Sequence, residues 1–316
     1  MEPKEIRNIS VIGAGLMGHG IAQIFACRNY FVTLLDVRQD LLSKAVENMR
    51  SNLTLLAQKG IGDPKEVETT VRRIKTTLDL REAASGASFI VEAASENLEL
   101  KQKIFRDLDS LCPPETILAT NTSVISITEI AQKAQLQERI VGTHFWNPPY
   151  LIPLVEVVRG GQTSEKVMDT TFELLKLVGK SPVRVNKDVP GFVGNRLQHA
   201  LWREAISIVE KGIADADTVD EVVKKGFGIR LPVLGPLENA DMVGLDLTLA
   251  IHDYILKHLE SSPQPSPLLR SKVENGELGF KTGQGFQKWP ENEARGSRTR
   301  LLEYLLKWTK DRENDR

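Results

Sequence analysis

The sequence predicts an α/β protein: a Rossmann-like, mostly parallel sheet with helices on both faces, followed by an all-α C-terminal domain. Three observations carry this. Short β-rich runs alternate with longer helical patterns through the first half of the chain, which is how a parallel sheet with crossover helices reads. A strand, a glycine turn and a helix follow one another between Ile9 and Gly18. From Phe192 onward the strand pattern gives way to helical patterns.

Taken in order, the expected strands are Ile9 to Ile12, Phe31 to Leu35, Phe89 to Val91, Thr116 to Ala119, Ile140 to Phe145, Leu154 to Val158 and Pro182 to Val185. Helices are expected to begin near Leu16, Gln39, Asn97, Ser126 and Ser164, and to run over Val193 to Lys211, Asp217 to Lys225 and Leu245 to Glu260. The boundary between the two patterns falls at Lys187-Asp188-Val189-Pro190-Gly191. There Pro190 pushes Val189 toward extended backbone and Gly191 frees the chain to turn. Residues 1–188 are therefore assigned to the sheet domain and 189–316 to a helical one. The tail from Pro290 is polar apart from a Leu301, Leu302, Leu305, Leu306 stripe, which reads as an appended surface helix.

Composition narrows the class of function. Lys and Arg number 41 against 42 Asp and Glu, so nothing in the charge balance favours nucleic acid or a membrane surface. A hydrophobic share of 41% and a charged share of 26% are those of a soluble globular protein. Cys27 and Cys112 lack metal-ligand spacing and are too few for a disulfide framework. With no signal segment and no apolar run of membrane length, a cytoplasmic enzyme of a small molecule is expected, without a metal.

Gly13, Gly15 and Gly18 lie between the first strand and the first helix, with Leu16 and Met17 opening that helix. The first glycine allows a tight turn, the second lets backbone N–H groups approach a pyrophosphate, and the third lets helix and sheet pack closely. Asp36 ends the second strand, where a carboxylate accepts hydrogen bonds from ribose hydroxyls and repels a 2′-phosphate. NAD is thus the expected cofactor, although Arg38 stands close enough to accommodate that phosphate. Glu96 and Lys101, then Asn121 and Ser123, follow later strands at the carboxyl edge, where open α/β sheets bind ligands. Taken alone, Glu96 also reads as a helix-capping acid and Lys101 as a solvated lysine.

The chemistry is carried by His144 and Glu156. Glu156 sits inside the apolar run Leu154 to Val158, and a buried carboxylate needs a partner. His144 ends the preceding strand, so neighbouring strands bring the two together. Such a pair fixes the imidazole tautomer and stabilises the imidazolium formed when a hydroxyl proton is taken. Ser123 and Asn195 are candidate hydrogen-bond donors to the substrate oxygen. His199, one turn from Asn195, is the rival base.

As a set these residues resemble the 3-hydroxyacyl-CoA dehydrogenase family over about residues 7 to 289. The stretches that carry the resemblance are VIGAGLMGHGIAQ, VEAASENLELKQKIF, ATNTSVISITEI, GTHFWNPP with LVEVV, DVPGFVGNRL and VENGELGFKTGQGFQKW. The resemblance implies a His144–Glu156 catalytic pair, substrate-facing Ser123 and Asn195, and cofactor contacts by Gly13, Gly15, Gly18, Asp36, Glu96, Lys101, Asn147 and Lys281. It also implies a homodimer formed through the helical domain.

Two departures concern the substrate. Members acting on coenzyme A thioesters usually read NPV followed by a lysine before LVEV, where this chain reads Asn147 to Pro153 as NPPYLIP. The segment Gly228 to Pro236 is slightly longer. Both are similar to the λ-crystallin or L-gulonate 3-dehydrogenase branch and its relatives that oxidise free hydroxy acids, in which case Arg230 can pair with a substrate carboxylate. Against this stands Lys59, where relatives using coenzyme A place a lysine toward the nucleotide phosphate, beside Asn52 in place of a serine.

The expected activity is oxidation of a short-chain 3-hydroxyacyl-CoA such as 3-hydroxybutyryl-CoA. Dehydrogenation of a small free 3-hydroxy acid (L-gulonate, a carnitine-like compound or a hydroxypyridine carboxylate) is the alternative. An NAD-binding structural protein of the crystallin kind is the alternative of another class.

Overall fold

The computed structural model describes residues 2–314, so the outermost ends of the expected domains fall outside it. Eight strands form one sheet: β1 (Asn8–Ile12), β2 (Phe31–Leu35), β3 (Ile74–Thr77), β4 (Phe89–Glu92), β5 (Ile117–Thr120), β6 (Ile140–Phe145), β7 (Leu154–Val158) and β8 (Ser181–Val185). Their spatial order is β3-β2-β1-β4-β5-β6-β7-β8. All neighbours are parallel except β6 and β7, which pair antiparallel with His144 opposite Glu156. The chain winds outward in both directions from β1 and β4, and this reversal opens a crevice at the carboxyl ends of those two strands.

Seven helices precede the expected boundary: α1 (Leu16–Ala26), α2 (Gln39–Gln58), α3 (Glu66–Arg72), α4 (Leu80–Ala84), α5 (Leu98–Leu111), α6 (Ile127–Ala131) and α7 (Glu165–Leu177). Several begin on a side-chain cap, with Asp79, Asn97, Ser126 and Ser164 each accepting a backbone N–H of the first turn. Residues of β4 alternate between two apolar cores because successive side chains leave a strand on opposite faces. Phe89 and Val91 join Phe25, Met49 and Met168 on one side, and Ile90 joins Phe105, Leu118 and Ile127 on the other.

Three strands or α-helices of this part of the chain were not expected. The strand β3 is polar, Ile-Lys-Thr-Thr, and lies at the sheet edge with only Thr77 buried, so it lacks an apolar signature. The helices α3 and α4 are too short to show a helical period. Elsewhere the expected strands shift or lengthen by one residue: Asn8, Glu92, Thr120 and Ser181 belong to strands, and Thr116 does not.

Six further helices follow: α8 (Gly194–Glu210), α9 (Ala216–Lys225), α10 (Pro236–Val243), α11 (Leu245–Ile255), α12 (Pro267–Glu274) and α13 (Glu291–Asn314). The compact units divide inside α8. One unit runs through Arg196 and takes back the stretch from Leu302, and the other is Leu197–Leu301. The first turn of α8 stays with the sheet because Phe192 is buried in the second core and the Val193 and Gly194 N–H groups bond Glu156.

The tail forms the expected helix, α13. Its leucine stripe attaches it to the first unit: Leu306 is buried against Ile61 and Leu151, and Leu55, Leu56, Leu302 and Leu305 pack around that cluster. Spacing of three and four residues puts 302, 305 and 306 on one helix face, and that face meets the end of α2. Leu306→Ala is expected to lower the unfolding free energy of the first unit by about 2 kcal/mol. Denaturant titration of both proteins checks this, and coincident midpoints would show that the tail contributes no packing.

Candidate active site

The glycine turn leads directly from β1 into α1. Gly13 has φ +101°, a backbone region closed to most L-residues, and a Cβ there would lie 2.7 Å from the Ala93 carbonyl oxygen. A Cβ at Gly18 would fall on the Gly13 carbonyl. Gly15, by contrast, borders open space, and α1 begins on it with no side chain capping its N–H groups. Leu16 is exposed, Met17 half-buried and Gly18 buried. An open cradle of backbone N–H groups at a helix N-terminus fits a dinucleotide pyrophosphate. Asp36 braces this turn, its Oδ2 accepting the Ala14 N–H at 2.7 Å and its Oδ1 the Val37 N–H at 2.7 Å. A carboxylate has roughly four acceptor directions, so two remain for ribose hydroxyls.

The next strand ends hold a buried charge cluster. Glu92, at the end of β4, accepts from the Lys101 ammonium at 2.7 and 3.0 Å, the Thr120 hydroxyl at 2.7 Å and the Ala94 N–H at 2.7 Å. Lys101 is itself buried, with Glu96 3.5 Å away. Glu96 accepts from the Thr122 hydroxyl and from the Ser123 and Val124 N–H groups at 2.6, 2.8 and 3.1 Å. Burial pushes its carboxyl pKa up, but the Thr122 hydroxyl, Lys101 and those N–H groups outweigh it and hold the pKa below the ordinary value. These side chains therefore shape the two loops at the carboxyl edge. Lys101 is turned inward onto Glu92 rather than solvated.

The antiparallel register of β6 and β7 brings His144 and Glu156 together, Nδ1 to Oε2 at 2.7 Å, with the imidazole 5% and the carboxylate 1% exposed. The other carboxylate oxygen accepts the Val193 and Gly194 N–H groups at 2.9 and 3.0 Å. Burial raises the pKa of Glu156, and the His144 and backbone hydrogen bonds more than reverse this, so it stays charged. A carboxylate only accepts, so His144 carries its proton on Nδ1 and keeps a lone pair on Nε2. The rings of Trp146 and Phe192 flank the imidazole at 5.2 and 5.8 Å. Asn121 pins the next residue, its Oδ1 accepting the Phe145 N–H at 2.9 Å.

Asn195 and Ser123 also meet, the Asn195 amide donating to the Ser123 carbonyl at 2.9 Å. That contact leaves the Ser123 hydroxyl and the Asn195 carbonyl oxygen uncommitted among the described residues. Asn147 is exposed in the loop between β6 and β7, and Lys59 is exposed at the end of α2. Within the second unit, Arg230 is exposed on a short 3-10 turn and Lys281 borders a cavity of about 520 Å³. His199 is exposed there, edge-on to Trp202, and has no acidic partner among the described residues. Sequence reasoning missed Glu92, although an acid inside Phe89 to Ala94 gives the same signal that found Glu156. Nothing in the sequence announces the Val193 and Gly194 N–H groups as partners of Glu156.

Two family models match the chain, "3-hydroxyacyl-CoA dehydrogenase, NAD binding domain" over residues 8–189 and "3-hydroxyacyl-CoA dehydrogenase, C-terminal domain" over residues 191–289. The chain belongs to the 3-hydroxyacyl-CoA dehydrogenase family. It is accordingly an NAD-dependent oxidoreductase, and the glycine cradle is in the half matched as NAD-binding. A probable 3-hydroxybutyryl-CoA dehydrogenase of Bacillus subtilis (strain 168) is 41% identical over 288 residues, covering 91% of this chain and 99% of the relative. A 5-formyl-3-hydroxy-2-methylpyridine 4-carboxylate 5-dehydrogenase of Mesorhizobium japonicum is 36% identical over 89% of this chain and 90% of its own. A solved structure of an enzyme of that second name, described as an NAD+ dependent dismutase, superposes with a TM-score of 0.88 at 32% identity, over 95% of this chain and 96% of the other.

The stability that Glu156 contributes is present above the ordinary carboxylate pKa and drains away as pH falls through its lowered native value. The melting-temperature gap between wild type and Glu156→Gln is expected to be full at about pH 7 and to narrow below about pH 4.5. Thermal scans across that range check it; an unchanged gap at low pH would mean that the carboxylate charge is not what stabilises the fold.

Proposed function

We propose that this enzyme interconverts a short-chain 3-hydroxyacyl-CoA, first of all 3-hydroxybutyryl-CoA, and its 3-keto form. The observation that carries the reading is the buried His144–Glu156 pair, set in a chain that aligns with nearly the full length of a probable 3-hydroxybutyryl-CoA dehydrogenase. Bound NAD supplies the acceptor for the hydride that leaves the carbinol carbon.

The chain supplies the rest. His144 takes the hydroxyl proton on Nε2, and Glu156 stabilises the imidazolium through the Nδ1 hydrogen bond. The Val193 and Gly194 N–H groups keep that carboxylate charged and aimed. The Ser123 hydroxyl donates to the substrate oxygen, with Asn195 beside it to fix the loop and face the same oxygen. Gly13, Gly15, Leu16, Met17 and Gly18 form the pyrophosphate cradle and Asp36 takes the ribose. Asn121 and Asn147 line the path from β5 and β6, and Lys281 is assigned to the cofactor from the helical unit. Glu96 and the buried Lys101 act on the cofactor side through the loops they hold. Reduction runs the same steps backwards.

A second reading, a free hydroxypyridine carboxylate as substrate, is supported by the superposition just described and by Pro153 standing where relatives using coenzyme A carry a lysine. On that reading Arg230 meets the carboxylate; on the first, Lys59 faces the nucleotide. NADH formation or loss with acetoacetyl-CoA, 3-hydroxybutyryl-CoA and free hydroxy acids separates them, and turnover confined to free acids would overturn the thioester assignment. His144→Gln is expected to retain NAD binding and lose about 10²- to 10⁴-fold in kcat. A near-normal rate would pass the proton to His199.

We also propose that the enzyme is a cytoplasmic homodimer joined through its helical unit and working in fatty acid metabolism. The two free thiols agree with a reducing compartment. Support for the dimer comes from α9 to α12, none of which buries a residue, while Val233 and Leu237 are 79% and 80% exposed and Leu245 and Leu249 are both 62% exposed. Apolar exposure on this scale marks an association surface. Light scattering should give twice the 35.2 kDa chain mass, and Leu245→Asp with Leu249→Asp should return it to one chain; a monomeric wild type would refute the dimer.

A further inference from the structure

Lys180 precedes β8 and is only 8% exposed, yet no carboxylate pairs with it among the described residues. Its ammonium reaches back across the chain to two carbonyl oxygens, those of Pro149 and of Ile152, the latter at 2.9 Å. Burial, with the Arg312 guanidinium adding to it, pulls its pKa down to about 7. The amine keeps two N–H groups in either protonation state, so both carbonyls stay satisfied through neutral pH. A methylene chain of similar volume would fill the same space without the cost of burying a cation, so the two carbonyl contacts are what the lysine adds there.

Those carbonyls belong to the loop that joins the two catalytic strands. His144 lies three positions before Asn147, where the loop starts, and Glu156 three positions after Pro153, where it ends. The loop is a tight turn, with the Leu151 and Ile152 N–H groups both donating to the Pro148 carbonyl at 3.0 Å. It is supported from two other sides. Gly20 of α1, the helix that opens on the cofactor cradle, is the one residue type that admits Pro149 so close to the helix axis. From the tail, Leu306 packs on Leu151, and the Arg312 guanidinium donates at 2.6 Å to the hydroxyl of Ser181, whose own N–H donates to Pro153 at 2.9 Å.

We propose that Lys180 is a positioning residue for the reaction: it clamps the 147–153 loop, and through it holds His144 and Asn147 at fixed distances from the α1 cofactor helix, with the C-terminal helix as its brace. The tail lies beyond residue 289, where the match to the family's C-terminal domain ends. This clamp is therefore built partly from a segment that the family model does not contain. The inference rests on the dehydrogenase reading above for its kinetic consequence but not for its structural one.

The test is Lys180→Met in the full-length enzyme. The kcat for 3-hydroxybutyryl-CoA oxidation is expected to fall about ten- to a hundredfold, the penalty of a displaced catalytic group, while KM stays within about threefold and NAD still binds. With the 3-deuterated substrate the isotope effect on kcat should rise, because a misplaced base makes the chemical step slower relative to product release. Hydrogen exchange at the Leu151 and Ile152 amides should accelerate about tenfold or more as the turn loosens. Leu306→Ala should move each of these in the same direction by less, and Lys180→Gln replaces the methionine variant should that one not fold. Wild-type kcat, isotope effect and exchange in a variant that merely melts earlier would overturn the proposal. A wild type that turns over no hydroxyacyl or hydroxy acid substrate would instead overturn the activity reading, and the exchange measurement would still decide the clamp.

Discussion

The structure depends on one carboxylate. Glu156 is removed from water in the middle of a β-strand, a position that no acid occupies without compensation. One of its oxygens faces the imidazole across the antiparallel pair, and the other takes two backbone N–H groups from the turn that opens α8. The same side chain therefore orients the base and fastens the segment after β8 to the sheet. This is why the compact first unit extends past the Pro190–Gly191 turn, and why its limit falls inside a helix rather than in the loop before it.

A second buried acid does the same work one strand pair away. Glu92 gathers Lys101, Thr120 and the Ala94 N–H, while its neighbour Glu96 gathers the loop after β5. Each catalytic-edge loop is thus tied to a charged group, Glu92 fully buried and Glu96 at the surface beside it. Buried ion pairs contribute little net stability but fix geometry, since any misplacement leaves a charge without its partner. Open space is kept at Gly15, with no side chain filling it, so what is rigid surrounds what must admit a ligand.

Much of this was legible in the sequence. Alternating strand and helix patterns, the Gly13-Gly15-Gly18 spacing and an acid within an apolar run were enough for the sheet, the cradle and the His144–Glu156 pair, because each depends on local periodicity or on the cost of burying charge. What escaped depends on contacts distant in sequence. The edge strand β3 is polar and is defined by its partner β2, not by its own residues. Lys101, taken alone, reads as a solvated lysine until the fold turns it onto Glu92, and no local pattern singles out Lys180 until the loop 28 and 31 positions earlier comes to meet it. The leucine stripe of the tail was visible, but no periodicity states which surface a stripe will cover.

That tail gives the fold an order in time. Because the stretch from Leu302 completes the unit that begins at the N-terminus, the helical unit is an insertion within a discontinuous one. A ribosome delivers Ile61 and Leu151 long before it delivers Leu306, so the nascent sheet must wait with an apolar seam uncovered until the whole inserted helical unit has emerged. The segment translated after the insertion is then the one that closes the unit begun before it.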